Sequence, residues 1–177
     1  MGRAIPPKQA KFFIGLISAN IELLDKVTAY FTRRFGPIDL SSAVLDFDST
    51  IYYNREMGNA LKRKFISFKR LISIENINVI KLLTNKQEKK FSSQGKRKVN
   101  IDPGYITLSK VALLTTKDYY HRIYLGKGIY AEVTLFYNNK SFRPFEWTYP
   151  DYRSVGYIGF FNKTRDLYHS QIKKSPC

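Results

Sequence analysis

The chain has 177 residues, 44% hydrophobic and 15% aromatic, with a formal net charge of +16. That composition excludes a disordered chain and is ample for one domain with a substantial core. The single cysteine, Cys177, and two histidines, His121 and His169, exclude an intrachain disulfide and a Cys/His zinc cluster, and nothing fixes Cys177 as a nucleophile. In chain order, KFFIGLIS (11–18) reads as a strand buried on both faces. Asn20 caps a helix in which Leu24, Val27, Phe31 and Phe35 repeat at three-to-four spacing, and Gly36-Pro37 ends it. SAVLDFD (42–48) reads as a second strand and LKRKFISFKRLI (61–72) as a third. In the third, Leu61, Arg63, Phe65 and Ser67 share one face, and Lys62, Lys64, Ile66 and Phe68 the other. A helix follows from about residue 75 to 90, marked by Ile77, Ile80 and Phe91, and KVNID (98–102) opens a fourth strand. This βαββαβ order over residues 1–100 predicts a split βαβ, ferredoxin-like arrangement.

Residues 101–177 change character. GYITLSKVALLTTK (104–117) and HRIYLGKGIYAEVTLFYNN (121–139) are long β-type runs, with LGKG (125–128) as a hairpin turn. Pro150 starts a final helix whose apolar stripe is Val155, Ile158, Phe161, Tyr168 and Ile172. The expected fold is α+β in a single domain over 1–177, a split βαβ half followed by antiparallel strands and a C-terminal helix. No apolar run approaches the ~20 residues needed to span a bilayer. MGRAIPPKQAKFF lacks the apolar stretch of a signal peptide. A cytoplasmic protein without a membrane span is expected.

The charge is unevenly spread. Residues 59–98 hold 12 basic and 2 acidic side chains, a net of +10. Lys62, Arg63, Lys64, Lys69 and Arg70 fall on the third strand, and Lys86, Lys89, Lys90, Lys96, Arg97 and Lys98 on the helix end and following loop. The block reads either as a nucleic-acid surface, carried by Lys62, Lys64, Lys69, Arg70, Lys96, Arg97 and Lys98, or as a solvated Lys-rich face.

AVLDFDSTIYY (43–53) imitates the opening of an aspartate-nucleophile phosphatase, with Asp46 as nucleophile and Asp48 as acid and base. That chemistry needs Mg²⁺ and a second acidic pair behind a later parallel strand. The acids after residue 56 supply no such pair, and the second half reads antiparallel. The phosphatase is therefore the weaker reading. Two-histidine phosphoesterase chemistry is excluded, because His121-Arg122-Ile123 and His169-Ser170-Gln171 do not spell its motifs.

TIYYNREMG (50–58), then LKRKFISFKRLI, KLLTNKQE, GKRKVNIDPGYITLSKVALLTTKDYYHRIYLGKGIYAEVTLFY and WTYPDYRS occur in one order along the chain. This series resembles the bacterial and archaeal domain-of-unknown-function family numbered 4416, from Lys11 to about Tyr168. The resemblance implies a signature built on Thr50-x-Tyr52-Tyr53 and Glu56-Met57-Gly58, with Asp46-x-Asp48 incidental. It implies no activity.

TTKDYYHRIYL (115–125) places Lys117, His121 and Arg122 beside three tyrosines. Such a run can hold a phosphate and stack a base, or pack its rings and let its cations reach water. Lys110, Lys117, His121, Arg122 and Arg153 are the candidate phosphate contacts. His121 and Glu132 are the candidate catalytic groups. Asp102 and Glu132 would orient the cations or hold Mg²⁺, and Asp102 alone otherwise reads as an Asx turn before Pro103-Gly104. The expected ligand is a nucleotide or a nucleotide unit of RNA, and the competing reading is a structural or adaptor protein without chemistry.

Overall fold

A computed structural model describes residues 2–174, so Cys177 lies outside the described residues. The mixed α/β chain forms one nine-stranded sheet, and every strand pairing in it is antiparallel. Strand β1 (Ala10–Ser18) lies inside the sheet between β4 (Lys62–Ile72) and β5 (Asn100–Ile106). Beyond β4 is the edge strand β2 (Ile38–Ser41), and β3 (Leu45–Asp46) also pairs with β4. On the other side follow β6 (Lys110–Thr115), β8 (Tyr130–Asn138) and β7 (Arg122–Tyr124), with β9 (Ser141–Pro144) pairing to β8. Because β4 is antiparallel to both β1 and β2, those two strands run parallel with β4 between them.

The sheet is covered on both faces, which is why β1 is buried along its whole length. Phe12, Ile14 and Leu16 face α1 (Ile21–Phe35) and α3 (Asn78–Lys90), packing with Leu24, Val27 and Phe31. Phe13, on the opposite face, packs with Phe65 and with Phe160 and Phe161 of α4 (Val155–Lys174). Helix α1 starts where Asn20 accepts the Leu23 N–H at 3.0 Å and stops at Gly36, whose φ of +96° suits a residue without a Cβ. The buried Lys11 ties three elements across the α4 face: it pairs with Asp39 of β2 and donates to Gln171 of α4 at 2.8 Å.

Several expected boundaries move. The second strand is not SAVLDFD but two short pieces, β2 and β3, because pairing with β4 selects Ile38–Ser41 and leaves Ala43 and Val44 exposed. Strand β9 follows a tight turn at Asn139 and Lys140, both at positive φ. Pro150 opens a 3-10 turn over Pro150–Arg153, and α4 begins only at Val155, which is 89% exposed. The buried stripe of α4 is Tyr157, Phe160, Phe161, Thr164 and Tyr168, so of the expected positions Phe161 and Tyr168 are buried.

Candidate functional site

The pairing of β5 to β6 runs only from Ile106↔Val111 to Gly104↔Leu113. Gly104 is needed there, since a Cβ would sit 2.5 Å from the Phe13 ring and 2.6 Å from the Ala112 carbonyl. Beyond it, Asn100–Pro103 keep only β1 as a neighbour. A cleft of about 460 Å³ lies at this opening, lined by side chains of β4, β5, β6 and α3 and of the loops before β4 and α4.

Arg63 forms the floor. Its side chain is 3% exposed and donates to Asp102 at 3.1 Å and Asp151 at 2.9 Å. Its guanidinium also lies 5.1–5.8 Å from the ring centroids of Phe47, Phe65, Tyr152 and Tyr157. A Cβ at Gly15 would come within 2.9 Å of Arg63 and Phe65, so glycine leaves the room through which Arg63 passes. Burial pushes the Tyr53, Tyr149 and Tyr152 phenols up, so they remain neutral hydroxyls.

One wall is the segment Thr50–Gly58, including the short helix α2 (Asn54–Met57). Thr50, Tyr52 and Tyr53 line the cleft, and Met57 packs with Ile17, Phe47 and Leu61. Glu56 accepts from Arg97 Nε and Nη2, both at 2.7 Å, a bidentate fork. Arg97 Nη1 reaches Asn100 at 3.0 Å and Glu88 at 3.4 Å. Lys117 Nζ donates to Tyr52 Oη at 2.9 Å, and that bond holds the Tyr52 phenol below its ordinary value.

The opposite wall is Glu132, a buried acid in an apolar strand. Its Oε2 receives His121 Nε2 at 3.0 Å and Arg122 Nη2 at 2.9 Å, and its Oε1 accepts from Thr134 at 3.1 Å. Arg122 also donates to Tyr149 Oη at 2.7 Å. Trp147 stacks on His121 at 5.2 Å and donates its indole N–H to the Val133 carbonyl.

Glu56 and Glu88 respond to acid in opposite senses. The Arg97 hydrogen bond holds Glu56 below 4.5, whereas burial raises Glu88, against the Lys81 ammonium and the Ile101 N–H. A lowered carboxyl stabilises the fold above its unfolded value and loses that contribution as pH falls through its folded value. Glu88 does the reverse: its contribution is fullest at low pH and is lost as pH rises through its folded value. Glu56→Gln should therefore flatten the fall in melting temperature below pH 4.5, as scanning calorimetry across that range would show. An unchanged acid limb would contradict the assignment.

Of the expected phosphate contacts, the structure brings Lys117, Arg122 and His121 together around Glu132 and the cleft mouth. Lys110 lies at the far end of β6 from Lys117, and Arg153 donates to the Thr148 and Glu146 carbonyls. Asp102 and Glu132 both line the cleft, each already bound to a guanidinium. Among the described residues, no group of three His, Cys, Asp or Glu converges as a metal site.

The basic block is dispersed along β4. Lys62 pairs with Asp46 and Lys64 with Asp25 at one end, while Lys69 and Arg70 are exposed roughly 20 Å away at the other, at about 3.3 Å per residue. Lys96 and Lys98 are exposed, but Arg97 turns inward to Glu56 and Arg63 is buried, which removes both from the basic surface. Asp46 is held by Lys62 and Asp48 is exposed. The antiparallel pairings provide no parallel strand end for the phosphatase arrangement.

Arg63, Lys81, Glu88 and Asp151 were missed as site residues, and Arg97, expected on the nucleic-acid surface, lines the cleft instead. The signal for Arg63 was its place between Leu61 and Phe65 on one face of the third strand. Nothing local marked Arg97, whose partner Glu56 is 41 residues away.

These features define a mixed α/β protein with an antiparallel sheet, a C-terminal helix and a polar cleft between the two halves of the chain. The chain belongs to the family described as Domain of unknown function (DUF4416), whose model matches residues 8–168. No curated protein and no solved structure matches it. Among the described residues, no helix is long and apolar enough to cross a membrane.

Proposed function

We propose that this is a cytoplasmic, single-domain binding protein that takes a phosphate-bearing small ligand, a nucleotide, into the cleft. One observation carries the reading. Arg63 Nε, Asn100 Nδ2 and Tyr152 Oη are buried, belong to residues lining the cleft and have no hydrogen-bond partner among the described residues. Buried polar groups are normally satisfied. The two nitrogens are donors and the phenol can donate, so the group that completes them presents acceptor oxygens. Four cations line the cleft against four carboxylates, and among the described residues Lys117 at the mouth has only a phenol as its partner.

In this reading Lys117 meets the phosphate, Tyr52 and Tyr149 flank the base, and Glu132 fixes Arg122. His121 is a positioning residue. Mg²⁺ would enter with the phosphates. The order β5-β1-β4-β2, with α1 following β1 and α3 following β4, supports a split βαβ platform beneath the cleft.

The test is a thermal-shift series of ribonucleoside mono-, di- and triphosphates with and without Mg²⁺. At a hundredfold excess over Kd the ligand stabilises by about 2.7 kcal/mol, which raises the melting temperature by roughly 5–11 °C in a chain of this size. Lys117→Ala should abolish the shift and leave the unliganded melting temperature in place. No shift with any nucleotide would favour the adaptor without chemistry.

A further inference from the structure

We propose that the cleft receives the end of a single-stranded nucleic acid, with the preceding bases stacked on a tyrosine platform at its mouth. The proposal rests on the cleft reading above and names the ligand's class. The exposed aromatic side chains among the described residues are Tyr52, Tyr119, Tyr120, Tyr124 and Tyr149. Tyr52 and Tyr149 line the cleft itself. Tyr119 and Tyr120 follow Lys117 by two and three residues, with ring centroids 4.9 Å apart. Tyr124 shares the cleft face with Arg122 and pairs with Tyr130, which pairs in turn with the lining residue Thr115. Lys117 bridges the groups by its bond to Tyr52. The exposed aliphatic side chains outside these segments, such as Ile5, Val79 and Val155, are spread over other elements.

These five rings remain 43–73% exposed despite their contacts with neighbouring side chains, which leaves a hydration cost. Flat faces beside a cationic mouth suit stacked bases, whose phosphates a protein of net charge +16 attracts. Every base has a π face, so the platform is tolerant of sequence, and specificity falls to the residue inside the cleft.

The experiment compares uridine monophosphate, by thermal shift, with a fluorescein-labelled oligouridylate of about six nucleotides, by fluorescence anisotropy at low salt. The oligonucleotide should bind more tightly than the mononucleotide. Tyr120→Ala and Tyr124→Ala, at positions 73% and 58% exposed, should keep the parent melting temperature. Each should weaken the oligonucleotide about 5- to 150-fold and leave the mononucleotide shift unchanged. A mononucleotide that binds as tightly as the oligonucleotide overturns the platform and leaves the cleft reading standing, as do tyrosine variants that bind RNA like the parent. Duplex RNA bound as tightly as single strands overturns stacking in favour of plain charge attraction. Failure of both ligands overturns the cleft reading and the platform with it.

Discussion

Arg63→Leu should destabilise the protein by about 3–5 kcal/mol, lowering the melting temperature by roughly 6–20 °C. The guanidinium is buried between Asp102 and Asp151. Burial disfavours its charge, but the Asp102 and Asp151 carboxylates bonded to it more than compensate, and it stays charged. Leucine fills part of the volume and leaves two carboxylates facing a space without a cation. The loss comes from those orphaned charges more than from the pair itself, because an intact buried ion pair is often close to neutral beside a well-packed apolar replacement. Combining Arg63→Leu with Asp102→Asn and Asp151→Asn should therefore recover part of the stability. Urea titration of the parent and both variants checks this. A single variant within 1 kcal/mol of the parent, or a triple variant less stable than the single one, would refute the account.

Phe65→Ala should cost a comparable amount, about 3–5 kcal/mol, through the cavity left in the α4 face of the sheet. Phe65 is fully buried and meets four rings, with centroids 4.6 Å from Tyr157, 5.3 Å from Phe160 and Phe161, and 5.8 Å from Tyr152. Three of these are edge-on to it at interplanar angles of 64–80°, geometry a smaller side chain cannot restore. Three of the four rings belong to α4 and one to the 3-10 turn before it. Native-state hydrogen exchange should thus show α4 losing more protection than α1, whose core lies on the opposite face. Equal loss in both helices would mean that the cavity is not felt locally.

The regular elements were largely legible in the sequence, and the site was not. Asn20, the Leu24–Val27–Phe31 spacing and Gly36 marked α1 because caps and periodicity are local. The second strand was misplaced because AVLDFD has the apolar content of a strand, while the hydrogen bonds that select Ile38–Ser41 come from β4, far along the chain. The run around His121 and Arg122 was legible because it is contiguous, and its partner Glu132 is 10–11 residues away. The cleft floor joins Arg63 to Asp102 and Asp151 across 39 and 88 residues, separations that no motif of fixed spacing records. The signature Thr50–Gly58 was visible as a pattern, but its role as a cleft wall depends on Arg97 and Lys117 reaching it from two other segments.

The contacts between β1 and α4 also set a timetable for synthesis. Phe13 waits for Phe161, and Lys11 for Gln171, so one face of β1 stays uncovered until residues 161–171 have been made. At about 5–20 residues per second, that interval is roughly 7–30 s. During it the ribosome carries a nascent chain whose α1 face can already close while the other side presents Phe13 and Phe65 to solvent. A chaperone that captures apolar strands has its clearest opportunity then, and stalling translation before codon 161 should trap this chain in its most aggregation-prone form.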